Sequence, residues 1–282
     1  MKFLVDDYFC IGSDHVKSGK PCQDYACSGN AGDVGVAIIS DGCSTGGRTD
    51  VGSRITALSM LTVINDSNLG ISREAHRDIF ERLKIRQKAN AASLELNECD
   101  LYATCIYSLL FSRGGYVGVF GDGVVAFKYQ DGRIKMYSFE WNKNTPFYPS
   151  YVGNDLRKFI NLHSCESDLP VTCEEWNYYP KSGFCNGVTN MYTVDEGVRG
   201  IGIEITEKML LDDGLEFVSV FSDGMNRIDA VDWRDAVCEL MAFKGRRGEF
   251  LKRRMMRAVR NYQKKGNSPR DDLSCATIQV VR

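Results

Sequence analysis

Apolar residues run together or alternate over six short stretches of the chain. These are Val34–Ser40, Thr104–Phe111, Tyr116–Gly121, Val124–Tyr129, Phe217–Ser222 and Ala276–Val281, and the pattern predicts a strand at each. Gly114-Gly115, between two of them, predicts a hairpin turn, and Asp131-Gly132 predicts another, so the middle of the chain reads as an antiparallel meander. Elsewhere the spacing is helical. Over Thr49–Asn65, Ile55, Leu58 and Leu61, with Thr62 or Ile64, recur every three or four residues. A second helix is expected over Ser72–Glu98, with Ser72 as its N-cap and Glu74 in its first turn. Asp232–Phe243 and Glu249–Lys265 form a later helical pair. Helices that come in pairs, without alternating with strands, indicate an antiparallel α+β layout.

Residues 140–212 interrupt this pattern. They hold four of the six prolines and few long apolar runs. They are expected to form an irregular, surface flap with short strands, inserted in a single domain spanning 1–282.

Composition narrows the picture only modestly. The 282 residues are 43% hydrophobic and 26% charged, as in globular proteins. With 35 Lys+Arg against 37 Asp+Glu the net charge is −2, which argues against wholesale coating of nucleic acid. No apolar run approaches the ~18 residues of a membrane helix, and the apolar stretch before Asp6-Asp7 is only three residues, too short for a secretory leader. The 11 cysteines, odd in number and scattered, read as reduced thiols, so a soluble cytoplasmic protein is expected. Charge is unevenly spread. Lys244–Lys265 has ten basic residues and one acid, Glu249, a local +9 that leaves −11 elsewhere. There Leu251, Met255, Ala258, Val259 and Tyr262 make one helical face, and Arg253, Arg257, Arg260 and Lys264 the opposite one. That basic face is read first as solvated surface and second as a docking site for an acidic partner or nucleic acid.

The chemistry begins with a recurrence. Val36–Ser40 runs into Asp41-Gly42, Val117–Gly121 into Asp122-Gly123, and Val218–Ser222 into Asp223-Gly224. A further acid pair, Asp271-Asp272, opens the last strand, and Asp24 precedes the first. One Asp-Gly is an ordinary turn dipeptide. Three at the ends of apolar strands gather carboxylates that repel one another, and hard divalent cations with oxygen-only ligands relieve that repulsion. Two such ions would lower the pKa of a bridging water and clamp phosphoryl oxygens. The pattern points to metal-assisted hydrolysis of phosphate esters.

In order along the chain stand Gly12-Ser13-Asp14-His15, Gly19-Lys20-Pro21-Cys22-Gln23-Asp24, Ser40-Asp41-Gly42, Asp50-Val51-Gly52-Ser53, Thr104 with its strand, Gly121-Asp122-Gly123, Ser222-Asp223-Gly224-Met225 and Asp271-Asp272-Leu273-Ser274. With these segments, over about residues 9–139 and 213–282, the sequence resembles the metal-dependent type 2C (PPM) serine/threonine protein phosphatases, particularly their bacterial branch. The resemblance implies a four-layer α-β-β-α sandwich of two antiparallel sheets flanked by helix pairs. It implies two Mn2+ or Mg2+ ions. Asp41 would bridge them with the Gly42 carbonyl on one, Asp223 and Asp271 would hold the other, Asp24 would act through bound water, and Asp122 stands where some relatives hold a third ion. Water bridging the metals would attack phosphorus in line, and Asp24, Asp41, Asp223 and Asp271 would be catalytic through that water. The implied partners are a phosphorylated protein substrate and a cognate Ser/Thr kinase.

Three positions depart from the family's pattern. Gln23 replaces an acid common before Asp24, Cys43 replaces a His proposed as general acid in some relatives, and Gly19 replaces an Arg that holds phosphate. Lys20, Lys17 or His15 are the substitutes expected for that Arg, with Lys20 and His15 taken as phosphate-binding. These departures motivate a rival reading, a pseudophosphatase serving as a binding or regulatory module, against which the retention of Asp41, Asp223 and Asp271 weighs.

Other motifs are set aside. Cys43…Arg48 has four intervening residues where cysteine phosphatases have five, and no His precedes the Cys. Gly121-Asp122-Gly123 leads into a strand, which excludes a dinucleotide-binding loop. Cys165, Cys173, Cys185 and His163 lack zinc-site spacing and read as free thiols with one imidazole. His76, in a polar helix, is expected on the solvated surface.

Overall fold

A computed structural model describes residues 1–66, 73–151, 159, 171–185 and 187–282, with residues 73–75 described in backbone only. Its strands are β1 (Lys2–Cys10), β2 (Asp24–Ala31), β3 (Val34–Asp41), β4 (Cys105–Phe111), β5 (Gly114–Phe120), β6 (Gly123–Tyr129), β7 (Ile134–Trp141), β8 (Val171–Tyr179), β9 (Gly183–Phe184), β10 (Val188–Tyr192), β11 (Ile201–Ile205), β12 (Leu215–Phe221) and β13 (Leu273–Val281). Its helices are α1 (Ser13–Ser18), α2 (Thr49–Asn65), α3 (Arg73–Ser93), α4 (Val194–Arg199), α5 (Glu207–Leu211), α6 (Trp233–Leu240) and α7 (Phe250–Lys264).

The strands make two antiparallel sheets. The larger runs β1-β13-β12-β6-β7-β8-β10, with β9 beside β8, and the smaller runs β11-β5-β4-β3-β2. They stack with β13 across β2 and β3, and β12 across β3 and β4. Ile38, Tyr107, Phe120, Val218 and Ile278 belong to one apolar core between the sheets that continues under α2 and α3. A second core, with Phe217, Phe221, Met255, Ala258 and Tyr262, lies under α6 and α7. The four-layer α+β architecture expected from the sequence is therefore present, with neither sheet closed into a barrel.

All six expected strands form, because each has enough apolar residues to be buried along its length; Val36–Ile39 are wholly buried. The sequence pattern hid β1, whose run is broken by Asp6 and Asp7. Both acids have structural partners. Asp6 Oδ2 accepts the Leu251 and Lys252 amides at 2.6 and 3.1 Å, capping α7, and Asp7 Oδ1 accepts the Ser28 hydroxyl at 2.6 Å. On α7 the expected division of faces holds: Leu251, Met255, Ala258, Val259 and Tyr262 are buried, while Arg253, Arg257, Arg260 and Lys264 are exposed.

Several expectations are corrected. The β4–β5 turn falls on Ser112-Arg113, and Gly114-Gly115 instead open β5, where a side chain at Gly115 would meet the Leu109 carbonyl. The helix α3 stops at Ser93 because Asn97 starts a separate short turn, Glu98–Leu101, closed by its capping box with Asp100. The expected N-cap Ser72 lies outside the described residues, as do the side chain of Glu74 and both Cys165 and His163. Residues 171–205 are more integrated than a flap: β8 and β10 extend the larger sheet and β11 adds an edge to the smaller one. These strands bury one face only, so alternate residues suffice (Val171 with Cys173 on β8, Ile201 with Ile205 on β11) and no long apolar run is needed. The ten described cysteines are all free thiols. No helix among the described residues is long and apolar enough to cross a membrane.

His76 is buried, only 5% exposed, contrary to expectation. It shares the inner stripe of α3 with Ile79, Phe80, Leu83 and Gln87, a stripe that the polar outer face obscures in the sequence. Its Nδ1 hydrogen-bonds the Tyr107 hydroxyl, and its ring stacks on Phe120 at 5.1 Å. Burial pulls the imidazole down to about 4. The unfolded chain takes up this proton below about pH 6.5, the folded chain only near pH 4. The contribution to stability is therefore full above pH 6.5 and is lost as pH falls towards 4, on the order of 3 kcal/mol in all. Urea unfolding of wild type and His76→Gln between pH 4 and 7 should show the variant less stable at pH 7 but with a shallower loss on acidification.

Candidate active site

Antiparallel pairing brings the strand-end acids together. Asp24 begins β2, Asp41 ends β3, and the two are direct register partners. Asp223 follows the end of β12, and Asp271 precedes the start of β13 beside it, where Phe221 pairs with Cys275. Asp122 occupies the β5–β6 turn. Both sheets thus deliver carboxylates to one end of the stack. Asp41, Asp122, Asp223 and Asp271 line a cleft of about 190 Å³. Asp24 lies beneath it, fully buried.

The repeated glycines have a packing cause. A Cβ at Gly42 would come 2.6 Å from the Thr49 carbonyl, at Gly123 2.6 Å from the Phe221 carbonyl, and at Gly224 1.8 Å from the Asp272 carbonyl. Each Asp-Gly thus lets a neighbouring backbone pass where any side chain would block it. The Gly42 turn is also held by hydrogen bonds. Thr104 Oγ1 accepts the Asp41 amide at 3.1 Å, and the Gln23 carbonyl accepts the Gly42 amide at 3.1 Å. Gln23 is a strut in place of an acid: its Nε2 donates to Thr49 Oγ1 at 2.5 Å, and Thr49 Oγ1 donates to the Cys43 carbonyl at 3.0 Å.

Burial and like charges dominate the electrostatics. Burial, with the Asp272 charge adding to it, lifts Asp24 to about 7 despite opposing hydrogen bonds from Ser222, Ser274 and Asp41. Burial, then the charges of Asp24 and Asp223, holds Asp41 well above the carboxylate range. Burial, then Asp223, lifts Asp122 to about 8, and the same two causes raise Asp271. Neither oxygen of Asp24 has a hydrogen-bond partner of good geometry. Burial works against the Cys43 thiolate, but hydrogen bonds from Thr45, Tyr148 and nearby amides outweigh it and lower the thiol.

Of the residues expected to take phosphate, His15 lines the cleft, whereas Lys20 lines an adjoining pocket and its Nζ donates to the Ser44 carbonyl at 3.3 Å. Lys17 pairs with Asp14 at 3.2 Å and is largely exposed. Arg48 is exposed and absent from the cleft lining, which leaves Cys43 without the guanidinium that cysteine phosphatase chemistry requires.

Two residues escaped the sequence reading. Asp272 is buried, its Oδ1 accepting the Gly12 amide at 2.7 Å and its Oδ2 the Gln23 amide at 2.6 Å and His15 Nδ1 at 2.8 Å. It ties β13 to the β1–α1 loop and to the start of β2, and it turns His15 Nε2 towards Asp271, 4.0 Å away. Arg227 reaches Asp223 and Asp271 with its Nε at 3.4 and 3.6 Å. Asp223 and Asp271 hold its guanidinium charged more firmly than usual, Asp223 most strongly. The one signal for Asp272 was its adjacency to Asp271, and for Arg227 its place four residues after Asp223.

The donor set suits a hard divalent cation. It is all oxygen, one buried carboxylate lacks partners, and the others share a cleft in which their negative charges repel. Among the described residues no three His, Cys, Asp or Glu side chains close on a single point as a finished ligand set would.

Two stacked antiparallel sheets, helices on both outer faces and an acid-lined cleft at the sheet ends make an α-β-β-α sandwich of the kind found in metal-dependent phosphatases. Residues 11–262 match the family model for Protein phosphatase 2C, and the chain belongs to that family of serine/threonine phosphatases. Among solved structures it is similar in fold to the Staphylococcus aureus serine/threonine phosphatase Stp1, with TM-score 0.59, 11% identity, and 100% of this chain and 96% of that one covered. It is also similar to the Mycobacterium tuberculosis serine/threonine phosphatase PstP/Ppp (TM-score 0.53, 11% identity, both chains covered fully). The Streptococcus counterpart, the S. agalactiae serine/threonine phosphatase, gives TM-score 0.53 and 12% identity over 99% of this chain and 100% of that one. No curated protein matches by sequence.

Two stability predictions follow from this geometry. Asp272→Asn leaves at least one buried donor facing an amide group, so calorimetry should show a loss of about 1–3 kcal/mol, or roughly 2–10 °C in Tm. Asp41→Asn should do the reverse in chelator at pH 8. The folded state disfavours the charged form of Asp41, so removing that charge should raise Tm, which calorimetry in chelator reads directly.

Proposed function

We propose that the chain hydrolyses phosphoserine and phosphothreonine in proteins with Mn2+ or Mg2+ at the carboxylate cleft. The observation that carries this is the buried Asp24 carboxylate, without a hydrogen bond of good geometry, paired across the ladder with Asp41, which shares its cleft with three further acids. Asp41, the Gly42 carbonyl, Asp223 and Asp271 would hold two ions, with Asp24 reaching them through water and Asp122 at the place of a third. Bound there, the ions lower the pKa of water and neutralise phosphoryl charge. The chain's own residues do the rest. Asp24 accepts hydrogen bonds from water above it and orients it towards the cleft. Asp272 fixes the His15 ring by taking its Nδ1 proton in a hydrogen bond, so that Nε2 faces the cleft. The Thr104 hydroxyl and the Gln23–Thr49 strut hold the Asp41-Gly42-Cys43 turn rigid.

The substrate on this reading is a phosphoprotein opposed to a cognate Ser/Thr kinase, in signalling. Free thiols throughout the described chain support a reducing, cytoplasmic setting. The exposed row Arg253, Arg257, Arg260 and Lys264 on α7 supports docking of an acidic partner, in a salt-dependent manner.

The test is hydrolysis of an aryl phosphate and a phosphothreonine peptide with and without Mn2+. Chelation, or Asp41→Asn combined with Asp223→Asn, should lower kcat/KM by roughly 10²–10⁴. Activity that survives either treatment refutes the reading, and metal binding without turnover would leave the fold as a binding module.

A further inference from the structure

Four carboxylates line the central cleft, and a phosphate monoester carries two negative charges of its own near neutral pH. Cations at the carboxylates offset part of that repulsion, but the outer phosphoryl oxygens also need donors. Among the described residues that line the cleft there is a single Lys or Arg, Arg227. Of the neighbouring cations, Lys17 and Arg270 pair with Asp14 at 3.2 and 3.1 Å, Lys20 donates to the Ser44 carbonyl, and Lys143 lines a flanking pocket outside the cleft itself.

We propose that Arg227 binds the phosphoryl group of the substrate, a role that rests on the phosphatase reading above. Its backbone is held in place on both sides. The Arg227 carbonyl accepts the Arg270 amide at 2.9 Å, and Ile228 bridges to Pro269, so the side chain starts from a fixed point beside Asp223. The side chain itself is 45% exposed and free to reorient. Its contacts of 3.4 and 3.6 Å with Asp223 and Asp271 are longer than the about 2.7–2.9 Å of a well-formed guanidinium–carboxylate pair. Oxygens of Asp223 and Asp271 that are given to a divalent cation are no longer available to Arg227. The guanidinium fork then turns to phosphoryl oxygens, which it fits in bidentate fashion. Arg227 also lines both pockets that flank the cleft, each about 590 Å³, so it stands where residues on either side of a phosphorylated side chain would pass.

Calorimetric titration of inorganic phosphate into Mg2+-loaded protein tests this without relying on turnover. Arg227→Ala should bind phosphate roughly ten- to a hundredfold more weakly than wild type, with Arg227→Lys between them because it keeps the charge but loses the fork. Circular dichroism confirms that both variants fold. Mg2+ binding by Arg227→Ala should be as tight as wild type or tighter, since a competitor for Asp223 and Asp271 has gone. Weaker Mg2+ binding would make Arg227 a prop for the carboxylates and overturn the proposal. So would phosphate affinity within twofold of wild type, or a wild type that binds no phosphate. Aryl phosphate turnover separates the two readings. An inactive wild type that binds phosphate through Arg227 removes the phosphatase reading and keeps the anion site, and an active wild type with an unaffected Arg227→Ala does the opposite.

Discussion

Asp24 faces Asp41 across the β2–β3 ladder, and Asp223 and Asp271 close on the same space from the other sheet. Burying like charges this way costs several kcal/mol per ion unless something of opposite sign joins them. The surrounding structure can be understood as what holds them there regardless. Strand pairing fixes the backbones, glycines let adjacent chains press against the turns, and two apolar cores lie beneath the sheets. Asp272 shows how differently a neighbouring acid can be used. Its oxygens take three hydrogen bonds and bind three segments together, whereas those of Asp24 have no hydrogen bond of good geometry. One acid serves as a fastener, and the other stays buried without such bonds.

Much of this was readable from local pattern. The strands with continuous burial gave continuous apolar runs, and the repeated Asp-Gly marked the correct end of the stack because each glycine answers a local packing demand. What escaped depends on partners far away in the chain. Asp272 acts on Gly12, His15 and Gln23, and no spacing rule links position 272 to these. Arg227 reads as one more charge on a turn until the β12 and β13 ends are set side by side. His76 was misjudged because its inner stripe is sparse, and the space for its ring comes from Gly118 on β5 and Gly200 beyond α4. The strands of 171–205 were underestimated because a strand with one buried face needs to be apolar at alternate positions only.

The net charge of −2 proves to be a balance between two separate structures. Part of the negative excess is concentrated at the cleft, and the positive excess lies on and before α7, on the outer face of the larger sheet. Much of that basic segment is already engaged. Arg246 pairs with Glu216, Arg254 holds the Glu239 carbonyl, and Lys252 pairs with Glu249. The Arg253, Arg257, Arg260 and Lys264 row remains directed to solvent.

The place of β13 has a consequence for how the molecule comes into being. It comes last in chain order among the described strands, yet it sits inside the larger sheet between β1 and β12, and of the two acids before it Asp271 lines the cleft and Asp272 braces it from below. While the chain is still emerging from the ribosome, β1 has no hydrogen-bonding neighbour in its sheet, and the cleft lacks both Asp271 and the fastener Asp272. The sites contributed by β2, β3 and β12 must wait for a pairing that spans almost the whole sequence, a topology that folds slowly. A nascent fragment that has not yet paired β13 therefore carries most of the cleft acids without Asp271 or the brace from Asp272.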